Sequence, residues 1–306
     1  MDEVAAVIPV FNRANQLVRA LESVRDQTRA VSECIVVDDG SENCLSDARQ
    51  FWEEFFPEGK WIVFPENRGV AAARNAGVAA TSAKWICFLD SDDVWLPTKL
   101  EKQLAWHEVN PACRISQVEE AWFRDGAPVK KPKVWQPPHG MIFPTAVERC
   151  AISPSAVMMR RDLWGEHGGF DEDFRVCEDY ELWLRIALRE EVGLVNQGCP
   201  LIEKHAGHGD QLSLARAMDR HRVAILIRFL SERGSALSTE ERALVVRAIR
   251  EKASIVATGG ERRGMEERAA LFRAIAGAAG RNGQGLRDFY DSILEEINSS
   301  DLSSPA

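Results

Sequence analysis

Short apolar runs alternate with amphipathic stretches through the first third of the chain. Residues 4–10 are apolar almost without a break, and Leu17, Leu21 and Val24 then recur at helical spacing. The unit repeats. Cys34-Ile35-Val36-Val37 reads as a second buried strand, 46–55 as a second helix, and Trp61-Ile62-Val63-Phe64 as a third strand. A third helix over 70–80 leads to a fourth strand, Trp85-Ile86-Cys87-Phe88-Leu89. Continuous apolar strands are those buried on both faces, and helices of this length between them serve as right-handed crossovers. The pattern therefore predicts an α/β fold built on a doubly wound, mostly parallel sheet.

From about residue 112 to 153 the periodicity gives way to prolines and isolated aromatics such as Trp122, Trp135 and Phe143, which predicts irregular loops or short mixed strands over a site. Order returns with the strand-like Ala156-Val157-Met158-Met159 and a helix carrying Tyr180, Trp183, Leu184 and Ala187, where Trp183 reads as core. Beyond Gln211 the chain is helical to about Ile297. Ser238 with Glu241 forms a capping-box start, and Leu286, Phe289, Ile293 and Ile297 mark one apolar face. Gly259-Gly260 reads as a junction between two helices. The division expected is a catalytic-type domain over 1–215 and a helical C-terminal extension over 216–306.

A length of 306 residues with 45% hydrophobic content supports one large core with a smaller appendage. The 38 basic against 47 acidic residues give a net charge of −9, which argues against a nucleic-acid partner gripped through its phosphates. No apolar run reaches the roughly 20 residues of a membrane span, and the start lacks a secretory pattern, so a cytoplasmic location is expected. The seven cysteines show no CxxC spacing and read as reduced thiols. Arg220, Arg222, Arg228 and Arg233 make the extension locally basic, which leaves peripheral contact with a membrane or a lipid-linked acceptor open; self-association through these helices into a homodimer is the other role considered.

Ligands of an open parallel sheet bind beyond the carboxyl ends of its strands, at the point where strand order reverses. Three polar segments stand at those ends: Pro9-Val10-Phe11-Asn12-Arg13, Asp38-Asp39-Gly40-Ser41 and Asp90-Ser91-Asp92-Asp93. Three carboxylates within four residues repel one another, and a divalent cation with hard oxygen ligands, Mn²⁺ or Mg²⁺, is the usual remedy. Each segment by itself also reads as an ordinary turn or helix cap.

Taken in order, the segments resemble glycosyltransferase family 2, the inverting family with a GT-A fold. The resemblance runs over roughly residues 4–213 and rests on PVFN, DDGS, Asn67-Arg68-Gly69 with Ala73-Arg74-Asn75-Ala76-Gly77, DSDD, and Glu178-Asp179-Tyr180-Glu181-Leu182-Trp183. It implies a nucleotide-sugar donor, most simply a UDP-sugar, and a glycan, lipid-linked or small-molecule acceptor in bacterial-type cell-surface glycan synthesis. Pro9, Phe11 and Asp39 correspond to the nucleobase site, with Asn12 beside them, Arg74 to the arginine near the nucleotide, and Asp90 to the ribose contact. Asp92 and Asp93 are both candidate metal ligands. Asp179 corresponds to the base that takes the acceptor proton, and Glu178 to its neighbour. His205-Ala206-Gly207-His208 resembles a segment whose histidine joins the metal shell. His208 fits that place, and Ala206, where glycine is commoner, keeps His205 in play. The alternative from another class is a module that binds nucleotide-sugar without transfer; a product assay over a donor panel separates the two.

Overall fold

A computed structural model of the chain describes residues 3–132, 135–206, 218–281 and 285–301. The chain divides into two compact units, one of Met1–Ile142 with Ala151–Gln211, the other of Phe143–Cys150 with Leu212–Ala306.

In the first unit, β1 (Val4–Val10), β2 (Glu33–Asp38), β3 (Lys60–Val63) and β4 (Trp85–Phe88) run parallel, joined by α1 (Ala14–Arg25), α2 (Ser46–Phe55) and α3 (Val70–Ala79). The pattern-based assignments hold to within a residue at most ends. There follow β5 (Val94–Trp95), α4 (Lys99–Val109), β6 (Ile115–Val118), β7 (Glu120–Arg124) and β8 (Ala127–Val129). After α5 (Phe143–Glu148), which belongs to the other unit, come a 3-10 turn at Pro154–Ala156, β9 (Met158–Arg160), α6 (Arg161–His167), α7 (Glu178–Ala187), β10 (Val192–Val195) and β11 (Ile202–Ala206).

The main sheet has the order β10-β6-β9-β4-β1-β2-β3, with β9 antiparallel to both neighbours in an otherwise parallel array. Strands β2 and β3 step away from β1 on one side while β4 lies on the other, so the order reverses between β1 and β4. The crevice predicted by such a reversal opens beyond Val10 and Phe88.

Every residue of β1 is buried, and Leu17 and Leu21 of α1 are fully buried against the sheet. Each such leucine contributes about 1.5–3 kcal/mol through apolar area removed from water. Helix α3 seats closely on β1 because Gly77 has no side chain: a Cβ there would stand 2.3 Å from Val7 Cγ1. At the end of β2, Gly40 takes φ 74°, and a Cβ would lie 2.5 Å from the carbonyl carbon of Glu66. That close approach brings the DDGS turn against the loop that starts α3.

The segment from 112 to 153 is more ordered than its composition predicts. Besides β6 it supplies β7 and β8 to a second sheet of order β5-β11-β7-β8, in which β11 pairs parallel with β7 and antiparallel with β5. Its strands are half-exposed and short, so they lack the apolar run that marks the main sheet. Phe143 is not a loop aromatic either: it is buried in α5 and stacks near Phe229 of the second unit. Trp183 is core, fully buried in α7.

The second unit contains α5 with α8 (Asp219–Arg233), α9 (Thr239–Arg262), α10 (Glu266–Gly280) and α11 (Tyr290–Asp301). Ser238 and Glu241 make both hydrogen bonds of a capping box at the start of α9. Gly259-Gly260 does not separate two helices. Helix α9 runs through it, and Gly260 lets α10 approach, since a Cβ there would lie 3.2 Å from Ala269. Three of the four arginines of α8 named above are engaged by acids: Arg220 with Glu296, Arg222 with Asp219 and Arg228 with Glu232. No described helix is long and apolar enough to cross a membrane.

Candidate active site

Every sequence-predicted site residue that the structure describes lies in the first unit. At the end of β1, Pro9 is buried in the strand beside Val37, and Phe11 is 40% exposed. Asn12 adopts φ 56°, a left-handed conformation that asparagine tolerates. Its backbone N–H donates to Ser41 Oγ at 2.9 Å, and its side-chain oxygen accepts from the N–H groups of Glu42 and Asn43. Asn12 thus laces the PVFN turn to the DDGS turn.

Asp39 is buried and receives the backbone N–H groups of Arg68 at 2.7 Å and Gly69 at 2.9 Å. Burial raises its pKa, and those two donors oppose the rise. The bonds hold the carboxylate in one orientation at the mouth of the crevice. Each oxygen accepts one N–H, and a carboxylate oxygen has capacity for two.

Arg74 joins the two halves of the site. Its side chain is 4% exposed; one terminal nitrogen donates to Asp90 Oδ1 at 2.6 Å and the other to Glu178 Oε1 at 2.7 Å. The guanidinium also lies over the Phe170 ring, 5.0 Å from its centre. Burial of Arg74 would weaken its charge, but Asp90 and Glu178 more than offset this and raise its pKa. A planar fork with two separate carboxylates is an arrangement lysine cannot reproduce.

The three aspartates of DSDD occupy different environments. Burial would raise Asp90, but Arg74, with help from Lys204 and Arg13, holds it below the usual carboxylate range. Asp92 forms an ion pair with Arg13 at 2.9 Å, and its pKa ends above normal because burial and the charge of Asp90 outweigh Arg13. Asp93 points into the fold: it accepts from Ser155 Oγ at 2.6 Å and from the backbone N–H of His205 at 3.3 Å. Burial and the charges of Asp90 and Asp92 push Asp93 well above the carboxylate range. Ser155 in turn accepts from the N–H of Asp90 at 3.1 Å. Asp93 therefore spans the DSDD turn, the segment before β9 and β11.

Glu178 and Asp179 open α7. The preceding residue, Cys177, holds φ 65° and ψ 20°, a conformation that costs a non-glycine residue roughly 1 kcal/mol and turns the chain sharply into the helix. Burial and the neighbouring Asp179 charge push Glu178 up to about 7 even with Arg74 attached. Asp179 is half-buried, with Oδ1 accepting from the Tyr180 N–H at 2.6 Å.

Two cations not singled out from the sequence complete the site, Arg13 and Lys204. Lys204 of β11 donates to Ser153 Oγ at 2.7 Å. Burial would lower its pKa, but Glu120, Asp93, Asp90 and Asp179 together raise it. It therefore stands in the field of both the DSDD cluster and the ED pair. Nothing in the sequence distinguishes it from any other strand lysine; the pairing of β11 with β7 creates the arrangement. Successive strand residues face opposite ways, and His205 accordingly turns from Lys204. Its ring stacks on Phe123 at 5.2 Å and its Nε2 meets Glu203. The structure does not bring the His205 ring to the aspartates, and His208 lies outside the described residues.

A metal held jointly with a diphosphate needs one or two protein carboxylates rather than a full protein cage. Among the described residues no group of three metal-binding side chains converges, whereas Asp90, 24% exposed, and Asp92, 11% exposed, offer hard oxygen donors. That donor set fits such a shared ion, with Asp93 turned inward.

The sequence profile of Glycosyl transferase family 2 matches residues 5–163. An uncharacterized glycosyltransferase of Rickettsia bellii is 33% identical over 197 residues, covering 64% of this chain and 28% of the relative. The chain thus spans about a third or less of the length of the first curated relatives it matches. The UDP-Glc:alpha-D-GlcNAc-diphosphoundecaprenol beta-1,3-glucosyltransferase WfgD of Escherichia coli is 29% identical over 197 residues, covering 64% of this chain and 74% of that protein. Among solved structures, S. aureus TarS residues 1–349, crystallised with UDP-GlcNAc, superposes with a TM-score of 0.63 at 16% identity, over 97% of this chain and 92% of that one. The order of motifs, the crevice between β1 and β4 and the family match lead to one conclusion: the chain belongs to glycosyl transferase family 2.

Proposed function

We propose that this enzyme transfers a sugar from a UDP-sugar to an acceptor hydroxyl with inversion, using Mn²⁺ or Mg²⁺, in the assembly of a bacterial cell-surface glycan. The observation that carries the reading is the Arg74 bridge between Asp90 and Glu178. It sets the donor-side carboxylates and the ED pair on one crevice at fixed separation, as a displacement with donor and acceptor on opposite faces requires.

In this reading uracil lies against Phe11, and Asp39, fixed by the N–H groups of Arg68 and Gly69, accepts its imide N–H. Asp90 holds the ribose. Asp92 is the carboxylate that binds a divalent cation, which supplies charge neutralisation of the departing diphosphate. Asp179 takes the acceptor proton at its carboxylate, and Glu178, itself held by Arg74, is its neighbour at the start of α7. Lys204 moderates the mutual repulsion of Asp90, Asp93 and Asp179. Donor and acceptor class draw support from WfgD, whose name gives UDP-Glc as donor and a diphosphoundecaprenol-linked sugar as acceptor.

Asp179→Asn tests the mechanism. Product formation falls by a factor of about a thousand or more while thermal stabilisation by the UDP-sugar persists; turnover near the wild-type rate would sink the assignment. A panel of UDP-, dTDP- and GDP-sugars with and without Mn²⁺ tests the donor. Stabilisation by GDP-sugars alone overturns the uridine reading.

A further inference from the structure

The second sheet carries a cluster of aromatic and charged side chains that the chemistry of the crevice does not use. Strands β11 and β7 pair in parallel with Lys204 beside Trp122, so the two side chains stand on the same face of that sheet, their backbones about 5 Å apart. That face is turned towards the DSDD and ED carboxylates, in whose field Lys204 lies. Glu120 bears out the alignment: its carboxylate accepts from Trp122 Nε1 at 2.9 Å and stands 3.9 Å from Lys204 Nζ. Lys131 lies 3.2 Å from the same carboxylate and 5.2 Å from the centre of the Trp122 ring. Trp122 is thereby held in place. Against it leans Trp135, whose ring centre is 6.4 Å away at a tilt of 47° and whose backbone N–H donates to the Pro132 carbonyl at 2.9 Å. Trp135 itself is 39% exposed.

We propose that Trp135, propped by Trp122, is a stacking platform for a pyranose ring of the acceptor glycan. The inference rests on the reading of the crevice as a sugar-transfer site with Asp179 as base. In the main sheet β2 and β3, next to the nucleobase-side Asp39, lie on one side of β1; β4, β9 and β6 lie on the other, and β7 follows β6 after one residue. The platform thus stands away from the nucleobase end and beside the cation that serves Asp90 and Asp179. An indole is a large flat apolar surface with a negative face, and one side of a pyranose presents C–H groups of slight positive charge, so the two stack while the hydroxyls at the sugar's edge stay solvated or hydrogen-bonded. Lys131, whose side chain is 17% exposed, supplies a donor at the rim. Contact on both faces of a ring needs about 7–8 Å between flanking surfaces, so the sugar lies on Trp135 and not between the two indoles. A lipid headgroup surface would call for an unneutralised basic rim, whereas Lys131 is paired with Glu120.

Saturation-transfer NMR on the full chain, with UDP present and the methyl glycosides of glucose, galactose, N-acetylglucosamine and rhamnose as probes, tests this without any turnover measurement. At least one glycoside receives saturation at its ring C–H protons from the wild type. Trp135→Ala binds that glycoside roughly tenfold more weakly, equivalent to about 1.4 kcal/mol, and Trp135→Phe, which keeps a smaller ring, falls between them. UDP raises the melting point of both variants as it does that of the wild type, which separates loss of the platform from loss of the fold. Equal glycoside binding by the wild type and Trp135→Ala overturns the proposal. So does displacement of the glycoside by a UDP-sugar but not by UDP, which would assign the ring to the donor. Anionic phospholipid vesicles that bind the wild type but not Trp135→Ala, with no glycoside bound by either, would make the pair a membrane contact instead. Absence of glycoside binding while UDP still stabilises the protein rejects the platform alone. Failure of every nucleotide sugar to stabilise the wild type rejects the transfer reading, and the platform with it.

Discussion

Lys99, at the start of α4, allows a stability prediction independent of the chemistry of the crevice. Its side chain is completely buried, its ammonium has no hydrogen-bond partner among the described residues, and it lies over the Trp95 ring at 4.2 Å. Burial lowers its pKa from the ordinary 10.5 to about 8. At about 1.36 kcal/mol per pKa unit, that fall is worth about 3 kcal/mol of destabilisation wherever both folded and unfolded chains carry the proton, which is below pH 8. The cation–π contact with Trp95 returns about 1–2 kcal/mol. Lys99→Met, which keeps the length of the side chain and removes the charge, therefore stabilises the first unit by about 1–3 kcal/mol at pH 7. Between pH 8 and 10.5 the unfolded chain binds a proton that the folded chain does not, so wild-type stability rises with pH and the advantage of the variant shrinks. All nine tryptophans lie in the first unit. Urea unfolding followed by tryptophan fluorescence thus reports on that unit even where the two units unfold separately. An unchanged midpoint at pH 7, or a difference that fails to narrow between pH 7 and pH 9.5, refutes the reasoning.

Arg74→Met strands the buried Glu178 carboxylate and the half-buried Asp90 and costs about 3–5 kcal/mol in the same unfolding assay; with transfer measured alongside, both donor stabilisation and turnover are lost, and retention of either would contradict the bridge. Gly77→Ala drives a methyl to within 2.3 Å of Val7 Cγ1, so the urea midpoint drops by the equivalent of about 1–3 kcal/mol as α3 is forced off β1. A midpoint within error of the wild type would show that this helix can shift freely.

The elements of the parallel half were legible because a strand buried on both faces must be apolar at every position, as Val4–Val10 and Trp85–Phe88 are. Helices α1 and α2 announced themselves through spacing. The ordered motifs then identified the edge of the sheet that carries polar groups. The second sheet was not legible: β7 reads Glu-Ala-Trp-Phe-Arg with half-exposed positions, and its strand character comes from pairing with β11, some eighty residues away in the chain. Helix α5 was hidden among prolines for a related reason, since six residues carry too little periodicity to register.

By itself, then, the sequence determined the alternating architecture, the polar ends of the strands and the family, because periodicity and local turn chemistry are properties of neighbouring residues. Only the tertiary structure decided how the charges are shared. Three aspartates within four residues, with one local signature, became one held by Arg74, one held by Arg13 and one held by Ser155. Their partners lie up to seventy-nine residues away, and Lys204, which acts on all three and on Asp179, lies farther still. Electrostatic pairing depends on distance in space and on burial, and neither is written in the order of residues along the chain.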